Sequence, residues 1–580
     1  MILRLFKSVR EYKKPTFVTL FFIILEVVIE CWLPTITADL INQIQQGTEL
    51  STVIRTGVFL ILLALLSLSC GAIAGYSSAK ASAGFGKNLR HDAFYSVQTY
   101  SFENIDNFSS SSLVTRLTTD VSNIQIGYMM LIRIAVRAPL MLVFAIVMAF
   151  RMGKGLAASF VVLIPFLVMG LLLVSRKAMP AFRRVFKKYD KLNESIEENV
   201  RGMRVVKGFA REEYEKEKFA KASDDIALDF TKAERIVALN SPLMQICVYF
   251  NLIFVLIVGS KIVITSHAQT INVGEMSAML TYGFMILIQL MMLTMIYVMF
   301  TMSAESIKRV CEVLDEKSSL VSPDNALTEV KDGSVDFEGV DFKYSEKAKK
   351  YSLEGVDLHI KSGMTVGILG GTGAGKTSLV QLIPRLYDAT EGRVLVGGRD
   401  VREYDLKTLR DSVAMVLQKN TLFSGTIKEN LRWGNEDATD EELREACRLA
   451  QADDFVMSFP EGYDTFIEQG GTNVSGGQKQ RLCIARALLK KPKILILDDS
   501  TSAVDTKTDA LIRKGFRSYI PDTTKIIIAQ RVASVEDADM IIVMDNGRIE
   551  DVGTHSELLE KSPIYREVYE QQTGGEKNEQ

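Results

Sequence analysis

The chain has 580 residues, a formal net charge of -2 and a hydrophobic content of 47%, and its mean hydropathy is +0.13. This length allows several domains, and the apolar content indicates that one of them lies in lipid. The near-neutral charge excludes a basic nucleic-acid-binding protein, so we predict no nucleic-acid partner. Six cysteines without paired spacing predict neither a disulfide framework nor a metal site.

Six apolar runs in the first half have roughly the length that a bilayer requires. We predict membrane spans near residues 15–38, 56–77, 130–150, 156–175, 242–264 and 276–302. The long second and fourth connections carry many Lys and Arg residues, whereas "INQIQQGTEL" after the first span has none. The positive-inside rule therefore predicts a multi-pass membrane protein in the lipid bilayer, with both termini and both long connections in the cytoplasm.

The long connections are themselves predicted to be helical. The fourth, "AFRRVFKKYDKLNESIEENVRGMRVVKGF", keeps a helical spacing of apolar residues with few helix breakers. Since an α-helix rises about 1.5 Å per residue, we expect each span to continue roughly 25 to 30 Å into the cytoplasm. The turns near "NFSSSSL" and "KGFAREE" are the places where we expect contacts with a soluble domain.

The composition changes near residue 317, where a polar segment containing Pro predicts a linker. From there strands alternate with helical patterns, which is typical of an α/β domain. We therefore predict a transmembrane domain (1–316), a linker (317–332), an α/β domain (333–572) and a polar tail (573–580). The predicted fold class is multidomain: a six-helix α transmembrane domain with long cytoplasmic helical extensions, followed by an α/β domain.

The segment "VGILGGTGAGKTSLVQLI" places a G-x-x-x-x-G-K-[ST] pattern between an apolar strand and a helix. This context predicts a P-loop, in which backbone N–H groups surround the phosphates, Lys376 supplies a charge and the Thr377 hydroxyl holds Mg²⁺. We therefore predict a P-loop nucleotide-binding domain with ATP and Mg²⁺ as cofactors. The candidate nucleotide-binding residues in this loop are Gly370, Gly371, Thr372, Gly373, Ala374, Gly375, Lys376, Thr377 and Ser378.

Two further segments complete the nucleotide motifs. The apolar strand "ILILDDS" ends in Asp498, where such strands hold a carboxylate linked to Mg²⁺, and Asp499 follows it. Upstream, "NVSGGQ" precedes an amphipathic helix and offers a second anion site at a helix N-terminus. Its candidate residues are Ser475, Gly476, Gly477 and Gln478. One domain does not need two anion sites for one nucleotide.

With these motifs the chain resembles the ATP-binding cassette (ABC) exporters, and within them the degenerate-site subunit of a bacterial heterodimeric multidrug exporter. The resemblance covers nearly all of the chain. It implies an ATPase coupled to transport in a bacterial cell membrane, with a lipophilic or amphipathic small molecule as the substrate. It also implies two nucleotide-binding domains that face each other head to tail, so that each ATP lies between one P-loop and the SGGQ of the other domain.

The resemblance implies roles for further residues. Tyr344 is similar to the aromatic residue that stacks on adenine, and an ordinary strand tyrosine is the alternative. Gln418 is similar to the glutamine that contacts Mg²⁺ and the attacking water. The loop that lies across the dimer interface in the family is matched by Ala503, Val504 and Asp505.

Two catalytic positions depart from the family pattern. The family has a glutamate directly after Asp498 and a histidine in the strand matched by "IIIAQRVAS", whereas this sequence has Asp499 and Gln530. An aspartate is one methylene shorter, and misplacing a catalytic group by about 1 Å can cost on the order of 100-fold in rate. Gln530 carries no charge and no titratable proton for the transition state. We predict a site that binds ATP and hydrolyses it slowly.

Two identical chains would form two slow sites. We therefore predict a heterodimer with a homologous ABC half-transporter that carries the catalytic Glu and His. In that pair the intact SGGQ of this chain completes the partner's competent site. The alternative is a homodimer in which Asp499 suffices as the base.

The sequence does not determine the substrate. Glu26 and Glu30 lie one helical turn apart at membrane depth, where they could receive cationic or amphipathic solutes, or Arg133 and Arg137 could neutralise them. The methionines of the sixth span suit a surface that accepts many shapes, and ordinary helix packing is the alternative. We expect drugs or other lipophilic compounds. A lipid flippase and an ATP-gated regulatory or channel-type ABC protein are the alternatives, whereas six spans exclude a soluble DNA-repair motor.

Overall fold

In a computed structural model the chain forms two compact units, and the residues described are 2–346, 348–499 and 504–574. The first unit comprises the chain up to Gln98 together with Ser110–Glu316. The second comprises Thr99–Ser109 and the chain from Lys317 onwards. We call residues 99–109 the inserted segment, because they belong to the second unit while both flanking stretches belong to the first.

Long helices build the first unit. They are α1 (Lys13–Gln45), α2 (Leu50–Gln98), α3 (Val121–Gly153), α4 (Ala158–Arg201), α5 (Glu212–Ala238), α6 (Asn240–Thr265) and α7 (Val273–Asp315). Shorter helical pieces are Ile2–Leu5, Phe6–Tyr12, Ser110–Thr115, Arg116–Asp120, Lys154–Ala157 and Met203–Gly208. The predicted spans lie in α1, α2, α3, α4, α6 and α7, and most of these helices continue well beyond the apolar runs.

Within the described residues, 5 continuous helical stretches are long and apolar enough to cross a membrane. They are Phe6–Gln45, Leu50–Gln98, Ser110–Arg201, Glu212–Thr265 and Val273–Tyr297. The third stretch contains both α3 and α4, because the single turn Lys154–Ala157 joins them without a gap. The chain reverses there at Lys154, whose φ of 45° is left-handed.

An apolar core holds α3, α4, α6 and α7 together with α1. Phe160 and Leu167 of α4 and Met279 and Tyr282 of α7 are buried in it. The Tyr282 hydroxyl donates a 2.7 Å hydrogen bond to the carbonyl of Cys31 in α1. Met279 is thus a packing residue, whereas Met291 and Met295 on the same helix are exposed.

An ion pair with a buried carboxylate joins the turn before α3 to α7. Asp120 is fully buried, and its carboxylate accepts hydrogen bonds of 2.7 and 2.5 Å from Arg309 Nε and Nη2. The Ser306 hydroxyl donates a third, at 2.8 Å. The charge of the Asp120 carboxylate is therefore balanced by Arg309, and its oxygens accept hydrogen bonds from Arg309 and Ser306.

Twelve strands form the sheets described in the second unit. They are β1 (Val335–Phe342), β2 (Leu353–Ile360), β3 (Thr365–Gly370), β4 (Glu391–Val396), β5 (Arg399–Asp400), β6 (Val413–Val416), β7 (Gly425–Thr426), β8 (Phe466–Ile467), β9 (Ile494–Asp498), β10 (Thr524–Ile528), β11 (Met540–Asp545) and β12 (Arg548–Gly553). The main sheet has the order β12-β11-β3-β10-β9-β6, and an antiparallel sheet has the order β2-β1-β4-β5. The strands β7 and β8 form a separate pair.

Helices surround these sheets. The two that carry candidate site residues are α8 (Lys376–Leu382) and α9 (Gly476–Leu489). The others are Leu406–Ser412, Ile427–Arg432, Asp440–Leu449, Asp453–Ser458, Thr506–Tyr519, His555–Lys561 and Pro563–Gly574. Together with the helices of the first unit, this confirms the predicted fold class of a helical transmembrane domain followed by an α/β domain.

The main sheet brings the P-loop, Asp498 and the segment that contains Gln530 to one edge. Its central strands are parallel and fully buried, as near-continuous apolar runs predict. Ile528 of β10 pairs with Ile368 of β3 on one side and with Asp498 of β9 on the other. The carboxyl ends of these three strands are therefore neighbours, and the chain after each enters the same crevice.

The inserted segment contains the short helix Phe102–Asn107, capped by Ser101. It is joined to the start of the linker, since Asn104 Nδ2 donates a 3.1 Å hydrogen bond to the carbonyl of Lys317. Contacts with a soluble domain were expected near "NFSSSSL" (107–113), which overlaps the end of the inserted segment at residues 107–109. Residues 207–213, the other expected contact, belong to the first unit.

Candidate functional site

The predicted P-loop is the tight turn between β3 and α8. Gly373 and Gly375 adopt left-handed φ values of 85° and 92°, which side chains rarely tolerate. A Cβ on Gly375 would lie 2.7 Å from the carbonyl oxygen of Ser352. The glycines are thus required by the backbone path, and they leave the N–H groups of the loop unobstructed. This loop fits a chain of phosphates.

Lys376, the first residue of α8, lies across this loop. Its Nζ donates hydrogen bonds of 2.8 and 2.7 Å to the carbonyl oxygens of Gly370 and Gly371. Burial lowers the pKa of Lys376, and the carboxylates of Asp498 and Asp499 oppose this shift. A partly desolvated ammonium of this kind is suited to exchange carbonyl contacts for phosphate oxygens.

Thr377 and Asp498 form the pair expected for Mg²⁺. The Thr377 hydroxyl lies 3.2 and 3.0 Å from the two carboxylate oxygens of Asp498. Burial raises the pKa of Asp498, while the Thr377 hydrogen bond opposes the shift. A hydroxyl and a carboxylate beside a phosphate loop are the hard oxygen ligands that Mg²⁺ prefers. These two residues fit the ion.

Asp499 stands at the centre of a small hydrogen-bonded group. Its Oδ2 accepts a 2.7 Å bond from Gln530 Nε2 and a longer one, 3.4 Å, from Gln418 Nε2. Its backbone has a left-handed φ of 48° and its N–H donates 3.0 Å to the carbonyl of Ile528. Burial raises the pKa of Asp499, and the two glutamine hydrogen bonds oppose the shift. The three candidate catalytic residues are therefore in contact with one another.

Tyr344 lies beside the P-loop and lines a cavity of about 1050 Å³ with it. Its hydroxyl is 2.9 Å from the Ser378 hydroxyl and donates a 2.9 Å hydrogen bond to Gln381 Oε1. Tyr344 is 40% exposed, so part of the residue is accessible to a planar ligand. Tyr344, Lys376, Thr377 and Ser378 are thus brought to one site.

The same cavity has lining residues that sequence analysis missed. Lys349, Lys350 and Arg548 contribute positive charge, and Tyr351 adds a second aromatic ring. The Tyr351 ring lies 3.9 Å from Nζ of Lys343. The basic run in "KYSEKAKKYSL" is the signal that would have identified Lys349, Lys350 and Tyr351, since a triphosphate requires several cations. Arg548 lies outside this run.

The SGGQ segment lies elsewhere. Ser475 caps α9: its hydroxyl accepts from the N–H of Gln478 at 3.3 Å, and Gln478 Oε1 accepts from the N–H of Ser475 at 2.9 Å. This capping box follows the S-x-x-Q spacing, a signal not used above. Ser475 and Gly476 are exposed, and the described lining of the 1050 Å³ cavity includes no residue of SGGQ. Within one chain the two anion sites are therefore separate.

The loop predicted to lie across a dimer interface is described only in part. Ala503 lies outside the described residues. Val504 is buried, and Asp505 caps the helix Thr506–Tyr519 by accepting a 2.9 Å hydrogen bond from the N–H of Thr508. The exposed carboxylate of Asp505 thus has a local structural partner.

The charged residues of the membrane spans form one cluster in the first unit. Arg137 Nη2 lies 2.7 Å from Glu30 Oε2 and 3.5 Å from Glu26 Oε1. Gly71 of α2 gives Glu26 room, because a Cβ there would lie 3.2 Å from the carboxylate. Arg133 lies over Gly75 and has no ion pair among the described residues. Of the two alternatives, the geometry favours internal pairing: Arg137 forms the ion pair with each carboxylate, and Arg133 adds a longer-range attraction to Glu26.

Comparison with known proteins identifies both halves of the chain. Residues 16–302 match the family model of the ABC transporter transmembrane region, and residues 353–502 match that of the ABC transporter. The uncharacterized ABC transporter ATP-binding protein YfiB of Bacillus subtilis (strain 168) is 35% identical over 562 residues, covering 97% of each chain. The similarly described Rv1273c of Mycobacterium tuberculosis is 34% identical over 573 residues, 98% of this chain and 97% of its own.

A solved structure supports the fold. The structure of a bacterial Atm1-family ABC exporter with ATP bound superposes with a TM-score of 0.82 and covers 97% of this chain and 98% of that one. The sequence identity is 24%, so this likeness concerns the fold alone.

Proposed function

The chain belongs to the ABC transporter family, and from this premise we propose that it is the slow-site half of a heterodimeric exporter for drugs or other lipophilic compounds. It is an ATPase coupled to transport, built from a helical transmembrane domain and a nucleotide-binding domain. The proposal concerns its partner, the division of work between two ATP sites and the substrate.

One observation carries the slow site: Gln530 donates its amide to Asp499, 2.7 Å away. This bond favours the charged form of the carboxylate, which lowers its tendency to take a proton, and the side chain of Asp499 is short. A general base must reach the proton that it abstracts, and a displacement of about 1 Å can cost on the order of 100-fold. The phosphate-binding parts, in contrast, are complete. The site is built to hold ATP and to hydrolyse it slowly.

In the proposed pair each residue has a defined task. The P-loop from Gly370 to Ser378 binds the phosphates and Tyr344 stacks on adenine. Mg²⁺, held by Thr377, Asp498 and Gln418, supplies charge neutralisation to the phosphates. Ser475, Gly476, Gly477 and Gln478 complete the competent site of a homologous half-transporter that carries the catalytic Glu and His.

ATP bound between the two domains stabilises the closed pair, and the long helices transmit closure to the membrane domain. Hydrolysis at the partner's site resets the pair, whereas ATP persists at the slow site. Arg137 engages both Glu26 and Glu30, which supports a structural role for these carboxylates.

ATPase measurements in liposomes test this proposal. The full chain is reconstituted alone, and together with a homologous half-transporter that carries the catalytic Glu and His. We expect slow turnover alone and fast, solute-stimulated turnover in the pair, with the Lys376→Ala variant as a background control. Turnover of the chain alone that equals that of the pair would overturn the heterodimer.

A further inference from the structure

The inserted segment is held by polar contacts to the linker that precedes the nucleotide-binding domain. Besides the hydrogen bond from Asn104 to Lys317, the hydroxyls of Ser101 and Ser319 lie 2.8 Å apart. The N–H of Ser319 donates to Asn104 Oδ1 at 3.2 Å. Along the chain, this segment directly follows α2. The short helical pieces Ser110–Thr115 and Arg116–Asp120 connect it to α3. Any shift of the segment therefore acts on two membrane helices.

One side chain of the nucleotide-binding domain meets the segment in two ways. The Tyr387 hydroxyl donates a 2.6 Å hydrogen bond to Asp106 Oδ2, and the Tyr387 ring lies 6.0 Å from that of Phe102 at an angle of 59°. Burial raises the pKa of Tyr387, and the bond to the Asp106 carboxylate raises it further, so the hydroxyl stays a donor. A hydrogen bond to a carboxylate is among the strong ones.

The other side of Tyr387 contacts the proposed adenine platform. The rings of Tyr387 and Tyr344 are 5.1 Å apart and nearly perpendicular, at 89°. Phe342 packs against both rings, at 5.6 Å from Tyr387 and 4.8 Å from Tyr344. Edge-to-face pairs have a preferred geometry, so the orientation of one ring constrains the other.

The rings of Tyr344 and Tyr387 have room to change their orientation. A cavity of about 280 Å³ lies beside the two tyrosines, and Glu103 of the inserted segment is part of its lining. Tyr344 is held by the hydroxyl bonds to Ser378 and Gln381 on α8, directly after the P-loop. A base that stacks on the exposed part of Tyr344 adds a partner to this ring, and any shift of the ring changes its edge-to-face contact with Tyr387.

We propose that Tyr387 is a positioning residue that transmits the presence of adenine on Tyr344 to the inserted segment, through Asp106 and Phe102. The signal is base-dependent: adenine nucleotides reposition the segment, and a triphosphate without a base does not. This inference rests on the adenine contact proposed for Tyr344. A contiguous path is not by itself evidence of coupling, so the test must measure coupling directly.

Amide hydrogen exchange of the full chain in lipid nanodiscs provides that test. We expect MgATP to slow exchange in residues 101–108 by about fivefold, at the lower end of the range for coupled sites, and magnesium tripolyphosphate to have no such effect. Tyr387→Phe keeps the ring and removes the hydroxyl. It should bind MgATP with unchanged affinity and lose the protection of residues 101–108.

Two further variants make the result specific. Tyr404 is a buried tyrosine of the same domain whose hydroxyl donates 2.8 Å to the carbonyl of Val396, so Tyr404→Phe is the matched control and should keep the protection. Asp106→Asn keeps an acceptor oxygen and should retain part of it. Protection that survives in Tyr387→Phe, or that tripolyphosphate produces equally in the unaltered chain, would overturn the inference.

The adenine contact proposed for Tyr344 can be tested separately from the transmission through Tyr387. If Tyr344→Ala leaves the ratio of ATP affinity to tripolyphosphate affinity unchanged, the adenine contact is wrong. If that ratio falls while Tyr387→Phe behaves like the unaltered chain, the adenine contact stands and only the transmission is wrong.

Discussion

The side-chain amide of Gln530 donates a 2.7 Å hydrogen bond to the Asp499 carboxylate, so the two residues that replace the family's catalytic Glu and His contact each other. Gln418 adds a weaker bond to the same oxygen, at 3.4 Å. Both bonds favour the charged form of this carboxylate, against the rise in pKa that burial causes, and they hold its short side chain in place. We therefore expect Asp499 to be a weak base for the attacking water.

Introducing the family's glutamate and histidine at positions 499 and 530 should therefore accelerate ATP hydrolysis. We expect the Asp499→Glu, Gln530→His double variant of the full chain, alone in liposomes, to hydrolyse ATP about 100-fold faster than the unaltered chain, because the longer carboxylate reaches the water and the imidazole donates to the γ-phosphate. Steady-state phosphate release measures this. Adding Lys376→Ala should abolish the gain, and a rise of less than about twofold would show that these residues do not limit the rate.

The nucleotide motifs were predictable because each depends on a local backbone form. A strand followed by glycines and a helix specifies the P-loop wherever it occurs, and the apolar runs of β9 and β10 specify buried parallel strands. The parallel order of β3, β10 and β9 then brings Gly370, Asp498 and Gln530 to one edge.

Contacts across long sequence separations were not predictable. Nothing in "RLYDATEG" or "FENIDN" indicates that Tyr387 bonds to Asp106, which is 281 residues away. The charged spans show the same limit, since two glutamates and two arginines at i, i+4 spacing allow several pairings. Only the packing of α1, α2 and α3 assigns Arg137 to both carboxylates and leaves Arg133 over Gly75.

Two tyrosines line the nucleotide cavity, and substitution can tell which one stacks on adenine. We expect Tyr344→Ala to weaken ATP binding by about tenfold, because stacking of a base on an aromatic ring contributes about 1 to 3 kcal/mol. Tyr351→Ala is the matched control, since its ring faces the Lys343 ammonium. Binding is measured by titration with ATP and with tripolyphosphate. A larger loss for Tyr351→Ala would transfer the adenine contact to that residue.

The buried pair of Asp120 and Arg309 should be a large contributor to the stability of the first unit. Asp120 is fully buried, so Asp120→Ala leaves the Arg309 guanidinium without its carboxylate partner. Breaking a fully buried pair costs about 3 to 5 kcal/mol, and solvent screening of the Arg309 side chain, which is 39% exposed, lowers that cost here. We expect a clear drop in the thermal unfolding temperature of the chain in nanodiscs.

An exposed pair serves as the control for that experiment. Glu197 lies 2.5 Å from Arg201 on α4, with both side chains more than half exposed. Exposed pairs contribute about 0 to 1 kcal/mol, so Glu197→Ala should leave the unfolding temperature nearly unchanged. Equal effects of the two substitutions would contradict a structural role for Asp120.

The cluster at membrane depth offers a test of whether its carboxylates serve the substrate or the fold. Arg137→Met removes the partner of both Glu26 and Glu30, whereas Arg133→Met removes an equal charge one helical turn away that has no ion pair among the described residues. We expect only Arg137→Met to lower the unfolding temperature, since unpaired charge inside a membrane protein is costly.

Neutralising one carboxylate should compensate for the loss of that arginine. We expect the Arg137→Met, Glu30→Gln double variant to recover part of the stability, with a coupling energy of about 1 to 3 kcal/mol in a double-mutant cycle. Glu30→Gln alone should retain export of a lipophilic dye in the reconstituted pair, because Glu30 is engaged by Arg137 at 2.7 Å and is not free to bind solute. Additive effects on stability, together with loss of dye export in Glu30→Gln, would assign these carboxylates to the substrate instead.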